Sequence, residues 1–162
     1  MIQQYKIQFM KKSSTLFLKL VISLIGIAVL ALCLLFTTEV IKAEDMLFLP
    51  ILIIMYLTAI PFFFALYQTT KLLGYIDKNI AFSKLSIKAL RNIKYCAIII
   101  SVLYVAGMPF IISVAEKDDA PGAVGFGLIF ILASIVVATF TAVLQRLVQN
   151  GLDMKSENDL TI

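Results

Sequence analysis

Histidine is absent from this 162-residue chain. That removes the usual general base near neutral pH and the commonest nitrogen ligand of zinc or haem. Only two cysteines occur, Cys33 and Cys96, and no Cys-x-x-Cys. There is no Gly-x-Ser-x-Gly and no Gly-x-x-x-x-Gly-Lys-Ser/Thr, so no nucleophile elbow or P-loop can be built. Paired carboxylates appear only as Glu44-Asp45 and Asp118-Asp119, and both pairs read as solvated charge beside helix ends. No enzyme is expected, and no cofactor, metal or catalytic residue.

Charge is missing on a larger scale. Leu20–Thr38, Met46–Thr70, Tyr95–Ala115 and Ala120–Gln145 contain no Asp, Glu, Lys or Arg over 19, 25, 21 and 26 residues. About 20 apolar residues at roughly 1.5 Å each cross a hydrocarbon core of about 30 Å. Mean hydropathy is +1.00 and 61% of residues are hydrophobic, more than a soluble domain of this size can hide. The runs are apolar on every side and lack the alternation of barrel strands, so they read as helices. The expected fold is all-α: one transmembrane domain over 1–162, a four-helix bundle with spans at about 16–38, 46–70, 95–115 and 122–146. The first span exceeds the usual 7–15-residue apolar core of a signal peptide and lacks a small-x-small cleavage site, so a retained helix is expected.

The fourteen cations are sorted. Lys6, Lys11, Lys12 and Lys19 precede span one; Lys71, Lys78, Lys84, Lys88, Arg91 and Lys94 lie between spans two and three; Arg146 and Lys155 follow span four. The other two loops hold only Lys42 and Lys117, among six acidic residues. By the positive-inside rule both termini and the central loop face the cytoplasm of a multi-pass cell-membrane protein. The net charge of +4 follows from this sorting and implies lipid contact, with no direct nucleic acid binding.

Within that frame several local features stand out. Cys33 and Cys96 should lie about 20 Å apart in depth, too far for a disulfide, and Cys96 beside a basic stretch is a conceivable acylation site. Pro50 and Pro121 fall near helix starts, whereas Pro61 and Pro109 lie inside their spans. Ser134, Ala138 and Ala142 place small residues on one face of span four, a surface for packing inside the bundle or for a homodimer. Residues 83–94 project Phe82, Leu85, Ala89 and Ile93 to one side and Lys84, Lys88, Arg91 and Lys94 to the other. With Ser83 as N-cap, this is expected to be a short amphipathic cytoplasmic helix on the inner leaflet, or else the start of span three. Asn150-Gly151 reads as a helix stop before a polar cytoplasmic tail, 150–162.

Phe82-Ser83 followed by Lys88, Leu90, Arg91 and Ile93, together with the terminus Glu157-Asn158-Asp159-Leu160-Thr161-Ile162, resembles the YoaS-like family of small bacterial four-span membrane proteins. Ile80-Ala81 departs from the Pro or other helix starter that members often carry before Phe-Ser. The family is one of unknown function, so the resemblance transfers no catalytic residue. Its members are frequently encoded beside a small helix-turn-helix regulator, which implies a cytoplasmic DNA-binding partner. The expected function is therefore non-enzymatic and regulatory. Partner contacts are assigned to Lys84, Lys88, Arg91 and Lys94, and to Glu157, Asp159 and Ile162 in the tail. The alternative is a small transporter or permeability element lined by Gln68, Pro61, Pro109 and Gln145, disfavoured by the lack of charge inside the spans. Gln68 and Gln145 fall at similar depth and are candidates to bond across helices.

Overall fold

Lipid offers no partner to a backbone N–H or C=O, so long apolar runs close their hydrogen bonds internally. A computed structural model, which describes residues 1–160, shows four helices that do so: α1 (Ile2–Ala43), α2 (Leu49–Asp77), α3 (Lys84–Lys117) and α4 (Gly122–Leu160). A short 3-10 turn, Met46–Phe48, leads into α2. Each helix is long and apolar enough to cross a membrane. Pro50 sits in the first turn of α2, and Pro61 and Pro109 lie inside α2 and α3.

Each of the three reversals turns on one left-handed residue that is not glycine: Glu44 (φ 51°), Asn79 (φ 59°) and Asp119 (φ 50°). At two of them the pattern is a Schellman close. The Ile80 N–H donates to the Tyr75 carbonyl at 2.9 Å, and the Ala120 N–H donates to the Ala115 carbonyl at 2.9 Å. Short polar side chains tolerate this conformation best, which suits Asn79 and Asp119.

The helices pack in chain order. α3 lies against both α2 and α4, while α1 packs on α2. Among the described residues α1 makes no extensive contact with α3 or α4, so the expected bundle is an open row with α2 and α3 inside it and α1 and α4 at its ends. Twelve α3 residues are buried, against only Thr15 and Cys33 in α1. Small residues explain the close approach. Gly107 is covered so closely by Ile54 of α2 that a Cβ there would lie 2.5 Å from the Ile54 methyl, and Gly127 of α4 sits under Met108.

Of the two courses expected for residues 84–94, a separate helix is not the one formed; they are the first three turns of α3 and run on into span three, as the other expectation has it. Ser83 caps them, its side chain accepting from the Ser86 N–H at 3.4 Å. The buried face is Ser86, Ile87, Ala89, Leu90 and Ile93, whereas Phe82 and Leu85 are exposed. This segment is thus packed into protein and does not lie flat on a leaflet. Nor does α4 stop at Asn150-Gly151; it runs on to Leu160. Gly151 has ordinary helical geometry, and the ring of Phe82 lies where its Cβ would be, 2.5 Å from that position. The glycine permits a close approach and does not end the helix.

Candidate functional site

The basic end of the molecule gathers the N-terminal half of α1, the α2–α3 connection and the C-terminal turns of α4. All four helices continue here beyond the uncharged stretches, α4 by the fifteen residues 146–160. At about 1.5 Å per residue that extension is about 22 Å long.

One polar cluster joins α1 to α2. Asp77, at the last turn of α2, accepts hydrogen bonds from the Thr15 hydroxyl and from Lys19 Nζ at 3.2 Å. Lys11 Nζ donates to Asn79 Oδ1 at 2.7 Å, one turn away. The Thr15 hydroxyl, then Lys19, hold the Asp77 carboxyl below its ordinary range. Thr15 is buried by this contact although the flanking α1 residues are exposed. α1 is also tied at the far end, where Thr37 and Tyr56 share a hydrogen bond of 2.8 Å.

The other helix pair is joined by fit. Phe82 lies on Gly151, which brings the Phe-Ser segment and the C-terminal turns of α4 together. Lys84, Lys88 and Arg91 are exposed along α3, and Glu157 and Asp159 are exposed on the last turns of α4. Lys94 is drawn inward, donating to Gln145 Oε1 at 3.3 Å and lying 5.2 Å from the Tyr95 ring centroid. Gln145 therefore pairs with Lys94 in place of Gln68, which is buried on α2. Ile162 lies outside the described residues. Ala138 and Ala142 line a groove between α4 and α3. Cys33 and Cys96 are both buried and unpaired, which removes Cys96 from the surface that acylation would need.

At the acidic end Lys117 of α3 pairs with Asp45 at 2.5 Å, and Asp45 also accepts from the Leu47 N–H at 3.2 Å. The Lys117 ammonium and then that N–H depress the Asp45 carboxyl; in return Asp45 raises Lys117.

Sequence reasoning missed Asp77, Thr15 and Gly151. Asp77 carried a usable signal, being the only acidic residue between Met46 and Ala115 and set among cations. Gly151 carried a misleading one, because the same residue type serves helix ends and close contacts.

Residues 36–162 match the family described as "Protein of unknown function (DUF2975)". The chain is also 54% identical over 160 residues to the "Uncharacterized membrane protein YoaS" of Bacillus subtilis (strain 168), covering 94% of this chain and 100% of that protein. No solved structure matches.

Proposed function

The chain belongs to the DUF2975 family of proteins of unknown function, and we propose that it is a non-enzymatic, regulatory multi-pass protein of the cell membrane. Its basic end, with both termini, faces the cytoplasm and binds a soluble partner such as a small helix-turn-helix regulator. The observation that supports this is the helical body beyond the spans. Lys84, Lys88 and Arg91 stand exposed on α3, which is packed against its neighbours, with Glu157 and Asp159 exposed on α4 about two turns beyond the Phe82–Gly151 contact. Cations on a packed helix present a fixed pattern to an acidic surface, whereas cations on a loose segment must be ordered on binding. Lys94 is left out of the docking surface because it is drawn inward toward Gln145, away from the exposed cations.

Two measurements test the proposal. Cysteines introduced at Glu44 or Asp118 should react with an impermeant reagent in intact cells, and ones at Lys84 or Ser156 should not. Outside labelling at position 84 would reverse the orientation. Co-purification of a small helix-turn-helix regulator co-expressed with the chain should be lost on Lys84→Glu/Lys88→Glu/Arg91→Glu and retained on Lys42→Glu. Equal recovery with both variants would remove α3 from the interface.

A further inference from the structure

A groove of about 440 Å³ runs between α3 and α4. Its walls are mostly apolar, Ile98 and Val102 from α3 facing Ile135, Ala138 and Ala142 from α4, with Ser101 of α3 also on the lining. Thr139 also lines it, and its hydroxyl already donates to the Ile135 carbonyl at 2.9 Å. Lys94 stands at the basic mouth. Among the described residues Lys94 makes no ion pair, and its amide contact with Gln145 leaves its charge unneutralised. Tyr95 beside it and Tyr67 under Lys71 of α2, at 5.0 Å, put aromatic rings at this level, where such rings mark the headgroup region.

We propose that this groove holds one anionic phospholipid of the leaflet at the basic end, with its phosphate on Lys94 and one acyl chain lying along the groove. Length decides between occupants. From Lys94 to Val102 the groove extends eight residues, about 12 Å, close to half of the roughly 30 Å core. Two residues beyond Val102, Tyr104 stacks on Phe130 with centroids 5.2 Å apart and bridges the two helices. A tail from one leaflet reaches only the midplane and fits such a half-length groove. A spanning helix of a second copy would want one running the whole depth. Charge then decides between lipids, because the Lys94 ammonium at the headgroup level favours anionic over zwitterionic lipid.

Native mass spectrometry of the purified full chain in detergent, titrated with phosphatidylglycerol or phosphatidylcholine, tests this. Phosphatidylglycerol adducts should form preferentially, and Lys94→Gln should weaken them about fivefold. Lys94→Arg should retain the preference, and Ala138→Leu, which fills the groove, should reduce binding of both lipids. Lys12→Gln removes an exposed cation from the same end, on α1, and should change nothing. Equal adducts in Lys94→Gln and the parent chain, or equal losses in Lys94→Gln and Lys12→Gln, would overturn the site. So would displacement of the lipid by inorganic phosphate alone, which would assign the cation to a free anion. A disulfide-linked dimer from Ala138→Cys in a chain with Cys33→Ser and Cys96→Ser, unaffected by added phosphatidylglycerol, would give the groove to a second copy and overturn the lipid.

Discussion

α1 and α3 are both apolar enough to cross a membrane, yet they are held in opposite ways. α3 is packed on two sides through small buried residues such as Ser86, Ala89, Ala97 and Gly107. α1 is the longer helix, 42 residues against 34, but only Thr15 and Cys33 are buried. Lipid tails are as apolar as leucine, so hydrophobicity inserts a helix without joining it to its neighbours. What joins helices here is close backbone approach for α3 and a few hydrogen bonds at the two ends for α1. Apolarity and packing are separate properties, and α1 has far more of the first than of the second.

The sharpest way to break this contrast is to place the same bulky residue on each helix. Gly107→Leu must displace Ile54, whose Cδ1 already lies 2.5 Å from where the Cβ would be. The expected loss is about 1–3 kcal/mol, the usual range for overpacking. Gly26→Leu in α1 starts from 3.4 Å to Leu66 Cδ1, with more room and a helix less firmly held. Its loss should be clearly smaller in the same unfolding titration in detergent. Equal losses would mean that α1 is packed as firmly as α3, and the contrast would fail.

The next effect falls on α1 alone. Asp77→Asn removes the charge that receives Lys19 and weakens the bond from Thr15. Spin labels at Lys12 and Lys78 should give a broadened distance distribution in this variant, while labels at Lys88 and Gln149, across α3 and α4, should keep theirs. Acid should do the same to the parent chain. Asp77 ordinarily titrates at 3.8 and is held lower in the fold, so its contribution is complete above 3.8 and is lost as pH falls through the lowered value. Broadening of both pairs together would show that α1 is coupled to the whole row.

How far the sequence could be read follows from the same contrast. Charge-free runs and sorted cations depend on hydropathy alone, and they gave four helices whose cationic ends lie together. Ser83 was legible as a cap because its chemistry is local. The course of residues 84–94 was legible only as one of two alternatives. Ala89 and Ile93 of the expected apolar side are buried, but Phe82 and Leu85 are exposed, and the buried side takes in Ser86, chosen for size, with Ile87 and Leu90. The tail failed for a related reason: Gly151 is small so that Phe82 can lie on it. The open row was equally hidden, since no residue pattern says which apolar helices will lack a second neighbour.

The smallest effect belongs to the acidic end, where α3 meets the α1–α2 connection through Lys117 and Asp45. Lys117 is half exposed, and exposed pairs contribute little because water and salt screen them. Lys117→Gln should therefore lower the melting temperature less than Asp77→Asn, and the Lys117→Gln effect should vanish in high salt. Asp45→Ala should be the worse of the two changes at this site, because it also removes the acceptor for the Leu47 N–H. The pH signs differ between the partners. Asp45 is depressed from 3.8, so its contribution is complete above that value and lost in acid as pH falls through the lowered one. Lys117 is raised from 10.5, so its contribution is complete below that value and lost in alkali as pH rises through the higher one. Between those limits the pair should be insensitive to pH. A Lys117→Gln effect as large as that of Asp77→Asn, and unchanged by salt, would show that the acidic end carries a load its exposure does not explain. α3 would then depend on an end contact, as α1 does, and close packing would no longer distinguish the two helices.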